Sequence, residues 1–265
     1  MGPETTGRVQ RVIVVASTAR SGSTLLCRAL SGSGRAGAPT EYFNPDFYRD
    51  RLRSVPFRDV SMRGRVGQVR RLLTGDAEWR RVTLARLSKG AAARLVRDIG
   101  VEHASADGVF GVKFMWSQYQ LLLHRGFGAE VWGAPVSWVS IRRADHLRQA
   151  VSFCMAEQTR QWTATEERRA TAQYAPDRIA GLMQSFADHE RLWDRYFQQI
   201  GVQPLRVTYE QLDADYERTV ADVLAHLGCA GAPVVPRALE RQSDEVTEEW
   251  IERYRRERGA HAGLE

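Results

Sequence analysis

The stretch RVIVVASTARSGSTLLCRALSGSG, Arg11 to Gly34, decides the fold. Val12 to Ala16 is an unbroken apolar run rich in valine, the pattern of a parallel strand covered on both faces. Gly22 and its hydroxyl neighbours end the run. Leu25, Leu26 and Leu30 then mark one face of a helix, and Ser31 to Pro39 is small, glycine-rich and loop-like. A strand, a tight turn and a helix N-terminus together make an anion site, because unpaired backbone N–H groups point outward and the helix field favours negative charge. Gly22 allows close backbone approach. Arg20 is suited to a bidentate contact with phosphate-like oxygens, and Ser23 and Thr24 offer hydroxyls. A plain strand–loop–helix whose serine caps the helix stands as the alternative.

The loop departs from common nucleotide motifs. It has no GxxxxGK[ST], since no lysine and no correctly spaced first glycine are present, and no GxGxxG. A magnesium-dependent, kinase-like P-loop enzyme is disfavoured on that ground. Lysine plus arginine number 38 against 32 aspartate plus glutamate, a formal net charge of +6 over 265 residues. That surplus suits an anionic partner. A nucleic-acid-binding module is the other rival, but no zinc finger, paired aromatic RNA motif or contiguous basic arm supports it. Lys89 and Lys113 are the only lysines, so the arginine richness is weak evidence by itself. Cys27, Cys154 and Cys229 are far apart and odd in number, which argues for buried free thiols over a disulfide scaffold or zinc cluster. The six histidines have no ligand spacing, and no metal is expected. No apolar run approaches the roughly 18 residues of a membrane span, and no signal core opens the chain, so a cytoplasmic protein without stable membrane association is expected.

Further strands are expected at Val109 to Trp116, Val136 to Ile141 and Pro204 to Tyr209. Helices are expected across Gln68 to Gly100, from Asp145 through Met155, over Ile179 to Ile200, from about Asp215 to Leu227, and over Glu248 to Arg258. Strands alternating with long helices indicate an α/β fold with a mostly parallel sheet flanked by helices. One domain over 1–265 is expected, with acceptor-side helical and loop insertions around 44–108. Ligands gather at the carboxyl ends of strands in such folds. Three polar clusters fall there: Arg20 to Thr24, Arg142 to Asp145, and Glu210.

Ser17 to Cys27, Gly37 to Phe43, Phe110 to Gln118, Arg143-Ala144-Asp145 with Gln149 to Phe153, Gln158 to Trp162 and Glu240-Arg241-Gln242 form an ordered series. In it the chain resembles the bacterial trehalose 2-sulfotransferase family from about residue 11 to 255. The resemblance implies a P-loop-like sulfotransferase fold, a homodimer, and 3'-phosphoadenosine 5'-phosphosulfate (PAPS) as sulfuryl donor. It places the 5'-phosphosulfate on Arg20, Ser21, Gly22, Ser23 and Thr24, and the 3'-phosphate on Arg143 and Ser152. Spacing agrees: Arg143 lies just past a strand, and Ser152 lies seven residues beyond Asp145, about two helical turns. Arg142 is the local ambiguity, as either neighbouring arginine can reach an anion.

The resemblance assigns general-base duty to Glu41, with Arg20 supporting the transferring charge. A glycine-proline loop before Glu41 and Tyr42-Phe43 after it suggest partial desolvation and a raised proton affinity. His124 and His146 are rival bases by chemistry. Lys113, a charge in an apolar run, needs a partner or a polar ligand. Tyr42, Lys113, Trp116, Gln118, Arg160 and Trp162 are candidate substrate contacts, with a core role open for the aromatic residues. The implied acceptor is a hydroxyl of trehalose or a related carbohydrate. Asn44 to Arg63 does not follow the trehalose enzymes, which leaves a non-sugar hydroxylated metabolite as the alternative.

Overall fold

A computed structural model describes residues 8–44, 47, 87–162, 166–167, 169–237 and 245–261, with side chains in the last helix described to residue 258. Four parallel strands form one sheet in the order β2-β1-β3-β4: β1 (Arg11–Ser17), β2 (Val109–Met115), β3 (Val136–Arg142) and β4 (Leu205–Thr208). Helices alternate with them: α1 (Ser23–Gly32), α2 (Lys89–Glu102), α3 (Trp116–His124), α4 (His146–Thr159), α5 (Pro176–Gln199), α6 (Tyr209–Ala214), α7 (Tyr216–His226) and α8 (Glu245–His261). The expected α/β architecture is therefore present. Most of the expected 44–108 insertion, including Asn44 to Arg63 apart from Asn44 and Phe47, lies outside the described residues, as do Glu240-Arg241-Gln242.

The unbroken apolar run of β1 has a direct cause. Val12, Val14 and Ala16 enter one core layer with Phe110, Val112, Phe114 and Trp138 of the sheet and Val96, Tyr119 and Trp193 of α2, α3 and α5. Ile13 and Val15 enter the opposite layer with Val139, Ile141 and Val207, beneath Leu26 and Leu30 of α1 and Val220 and Val223 of α7. Both faces of β1 are covered, and burying each such side chain contributes roughly 1.5–3 kcal/mol. A third cluster joins α4, α5 and α8 through Val151, Cys154, Ile179, Phe186 and Trp250. Cys27, Cys154 and Cys229 are all free and buried, as expected.

Helix starts follow the sequence closely. Asp145 accepts the Arg148 N–H at 2.9 Å and starts α4. β4 is shorter than expected, because Thr208 and Gln211 form a capping box that begins α6 at Tyr209. The strand order places the switch point at the carboxyl end of β1, since the chain proceeds from β1 to β2 on one side and then to β3 on the other. Ser17 pairs with Met115 and Ile141, and Arg142 with Thr208, so the segments leaving all four strands emerge along one edge.

Candidate active site

The turn after β1 is held by its own chain and by three helices. Arg20 and Gly22 both adopt left-handed backbone, at φ 60° and 80°. A Cβ on Gly22 would sit 2.5 Å from Cδ2 of Tyr209, so glycine is required by this ring as well as by φ. Ser21 is fully buried and its Oγ donates to Thr18 O at 2.8 Å. That hydroxyl serves the loop. Gln149, buried within α4, donates from Nε2 to Thr18 Oγ1 (2.9 Å) and Ala19 O (2.6 Å). Trp193 of α5 donates to Ser17 O at 3.1 Å. No side chain caps α1 and its first turn holds no acid, while its first intrahelical bonds run from Leu25 and Leu26 to Gly22 O. The N–H groups before Leu25 thus open onto the loop with the helix field behind them.

Two of the expected donor contacts, Ser152 and Arg143, converge on Arg20, as does the backbone of Trp162. Its Nε donates to Ser152 Oγ at 3.0 Å and its Nη1 to Trp162 O at 2.7 Å. Arg143 approaches from the end of β3, donating from Nη1 to Arg20 O at 3.4 Å, with its guanidinium 4.5 Å above the Tyr209 ring. Arg143 Nε is buried without a hydrogen-bond partner. Burial lowers the proton affinity of Arg20, the neighbouring Arg143 charge lowers it further, and Glu166 opposes both. Burial likewise lowers that of Arg143, against the attraction of Tyr209, Glu210 and Asp145. Two desolvated guanidiniums, an orphaned N–H and an uncapped helix start are the donor set that a polyanion satisfies.

The Arg142 ambiguity is resolved by packing. Arg142 pairs with Asp194 of α5 at 2.6 Å, and Arg206 meets the same carboxylate at 2.8 Å. Only Arg143 turns to the loop. Glu210 accepts the backbone N–H groups of Ala144 (3.0 Å) and Asp145 (3.3 Å), which fixes the segment that carries Arg143.

The second half of the site forms beside β2. Thr40 bridges in parallel to Val112, and Lys113 N donates to Thr40 O at 2.9 Å. This approach needs two glycines: a Cβ on Gly37, at φ 67°, would meet Gly111 N at 2.6 Å, and one on Gly111 would meet Ala36 O at 2.7 Å. The next residue, Glu41, then reaches Lys113, with Oε1 2.8 Å from Nζ. Its Oε2 accepts from Gln118 Nε2 at 2.8 Å, and Gln118 Oε1 accepts the Met115 N–H at 3.2 Å. Lys113 also donates to Thr24 Oγ1 at 3.2 Å. The two halves therefore touch.

The expectation of a raised Glu41 proton affinity is corrected. Burial does push it up, but the Lys113 charge and hydrogen bonds from Lys113, Gln118 and Asn44 outweigh burial and hold the carboxyl below the usual range. Glu41 is ionised and paired.

Other candidates fall elsewhere. Tyr42 is in the core, its hydroxyl donating to Ala38 O at 2.8 Å and its ring stacked on His103. Trp116 is also core, packed edge-on against Trp193, with its indole N–H left unpartnered. Both rings take the core role that the sequence left open for the aromatic residues. Trp162 reaches the site through its backbone carbonyl, and Arg160 is exposed in a hollow with Glu166, Glu167 and Arg169. His146 lies 3.3 Å from Glu190, and His124 ends α3 about two turns from Gln118. Gln149 and Tyr209 carry no site role in the sequence reading, whereas Glu210, one of the three strand-end polar clusters, fixes the segment that carries Arg143. Gln149 had a signal, since it stands one turn from Ser152 on α4. Among the described residues no three His, Cys, Asp or Glu side chains gather as a metal site, and no helix is long and apolar enough to cross a membrane.

Comparison with known proteins accords with this geometry. The trehalose 2-sulfotransferase of Mycolicibacterium smegmatis is 31% identical over 261 residues, covering 92% of this chain and 94% of that protein. The trehalose 2-sulfotransferase of Mycobacterium tuberculosis is 31% identical over 275 residues, covering 94% and 96%. The solved sulfotransferase domain of the Synechococcus PCC 7002 olefin synthase aligns over 96% of this chain and 90% of that one, at 16% identity and a TM-score of 0.44, a likeness too weak to inform the site. The Stf0 sulphotransferase family profile matches residues 12–257. The chain belongs to the Stf0 sulphotransferase family and is a sulfotransferase.

Proposed function

We propose that this sulfotransferase transfers the sulfuryl group of PAPS to a hydroxyl of trehalose or a related carbohydrate, with Glu41 as general base. One observation carries the reading: a pair of desolvated arginines and an ionised carboxylate share one edge of the sheet and meet through Thr24 and Lys113. The α1 N–H groups and Arg20 are suited to the phosphosulfate, and Arg143, next to Ser152 across Arg20, to the 3'-phosphate. Arg20 exchanges its neutral acceptors, Trp162 O and Ser152 Oγ, for anionic oxygens, which bind a guanidinium more strongly.

Glu41 takes the acceptor hydroxyl proton. The oxygen so released forms the new bond to sulfur as the sulfur–oxygen bond to phosphate breaks, and that electron pair stays on the departing phosphate oxygen. Arg20 and the helix start stabilise the charge that accumulates there. Gln118 holds Glu41 by one oxygen, so that the carboxylate presents a fixed geometry to the acceptor. The trehalose assignment rests on the names of the two relatives.

The test is a labelled-sulfate transfer assay with PAPS over trehalose, other sugars and hydroxylated metabolites, in chelated buffer. Transfer to trehalose far above the rest is expected. Efficient transfer only to a non-sugar hydroxyl moves the acceptor class while keeping the mechanism. Turnover of ATP with magnesium and none of PAPS overturns the reading.

A further inference from the structure

We infer that Lys113 couples the two halves of the site: an anionic donor on the Arg20–Thr24 loop draws its ammonium away from Glu41, so that Glu41 becomes an effective proton acceptor only when donor is in place. The inference rests on the proposed donor reading and goes beyond it. It concerns when the base acts.

The geometry is that of a shared cation. Lys113 sits inside β2, 5% exposed, with its backbone fixed by pairing to Val15 on one side and by Thr40 on the other. Its Nζ is 2.8 Å from Glu41 Oε1 and 3.2 Å from Thr24 Oγ1, at the second residue of α1. Nothing larger than an ammonium shift is needed to pass from carboxylate to loop. Among the described residues Glu41 is its one ion-pair partner. Among the described residues, the other groups bonded to Glu41 are neutral. Gln118 of α3 and Asn44 of the following turn donate hydrogen bonds. Cys27 of α1 interacts with both Lys113 and Glu41, and burial pushes its thiol up to about 12, so it carries no charge at working pH. The electrostatic state of Glu41 is thus set chiefly by one cation whose other neighbour is the donor loop.

The sign follows. Without donor, Lys113 stabilises ionised Glu41 and makes it a weak proton acceptor. An anion at Thr24 acts twice in the opposite direction: it competes for the ammonium, and it adds negative charge near the carboxylate. Both favour the protonated form of Glu41. Linkage then requires that donor binding take up protons in the acid range and that the donor bind more tightly as pH falls. A purely structural Lys113–Glu41 pair predicts neither.

The experiment is calorimetric titration of the whole protein with PAPS at pH 5 and pH 7, each in two buffers of different ionisation heat, on wild type, Glu41→Gln and Lys113→Met. Subtracting Glu41→Gln cancels the donor's own titrating phosphate. Wild type should take up an additional fraction of a proton at pH 5. Its donor affinity should gain on that of Glu41→Gln between pH 7 and pH 5, by up to about threefold for a one-unit rise, because free Glu41 starts below the usual carboxylate range. The additional uptake should shrink in Lys113→Met. Equal uptake in wild type and Glu41→Gln, with both binding donor, overturns the coupling and leaves the donor site standing. Full uptake retained in Lys113→Met overturns the role of the lysine. No binding of PAPS to wild type overturns the donor reading, and the coupling with it.

Discussion

Two polar clusters flank the switch point, and they are balanced in opposite ways. At the β1–β3 end, Arg20 and Arg143 crowd together, both desolvated, against a serine, two carbonyls and a tyrosine ring, with Glu166 and Glu210 acting on them from nearby. At the β2 end, Lys113 and Glu41 neutralise each other, and Gln118 satisfies the second carboxylate oxygen. The first cluster suits an anion, since cations held close together in a desolvated site repel each other. The second is complete as it stands, so it can act only if something disturbs the pair. The proposed reaction, which binds a polyanion and removes one proton, calls on both arrangements, and the two clusters meet at Thr24.

The largest expected effect separates the two clusters. Glu41→Gln keeps shape and a hydrogen bond to Gln118 but cannot accept the proton. Turnover should fall about 10²- to 10⁴-fold, while affinity for adenosine 3',5'-bisphosphate, measured by calorimetry, stays near wild type. A rate within about threefold of wild type would sink the base assignment and erase the functional difference between the clusters.

A smaller effect tests the cationic cluster from within. Arg143→Ala removes a charge-assisted partner and should weaken adenosine 3',5'-bisphosphate binding about 10- to 100-fold. Binding of the analogue lacking the 3'-phosphate should change little. Arg142→Met, one residue away but committed to Asp194, should leave both affinities nearly unaltered. If the two arginine variants behaved alike, the claim that only Arg143 faces the donor would be wrong.

The smallest effect concerns the shared frame. Gly22→Ala puts a Cβ at φ 80° and against the Tyr209 ring. A loss of about 1–2 kcal/mol in denaturant unfolding is expected from the left-handed backbone alone. Tyr209→Ala in the same chain should return part of any further loss. Stability unchanged by Gly22→Ala would show that the turn has room, and that it is not what aligns the two clusters.

Much of the fold is legible in the chain because it is written locally. The valine run, the break at Gly22, the cap at Asp145 and the Ile179 to Ile200 periodicity each depend on neighbours a few residues away, and each reappears as β1, the turn, the start of α4 and α5. The loop proposed to hold the donor is legible for the same reason, since Arg20 to Thr24 are contiguous. Gln149 and Ser152 are readable as one helix face, although only Ser152 was assigned a role. The β4 end was misread by a single position, because the Thr208–Gln211 capping box competes locally with the strand.

By itself, then, the sequence determined a parallel α/β fold, the strand ends that carry chemistry, and the anion loop. The tertiary structure decided what depends on partners far along the chain. Glu41 and Lys113 are brought together because Gly37 and Gly111 let the strap through Thr40 lie against β2, and the lysine then overrides the effect of burial on the carboxyl. Arg142 and Arg143 are adjacent in sequence and point to different fates because Asp194 waits beneath one and Tyr209 beneath the other. Tyr42 and Trp116 read equally well as ligand or core residues, and only the layers closing over them assigned both to the core. Local propensity is a property of neighbouring residues, whereas a proton affinity or a guanidinium's direction is a sum over the charges and surfaces that folding brings within a few ångströms.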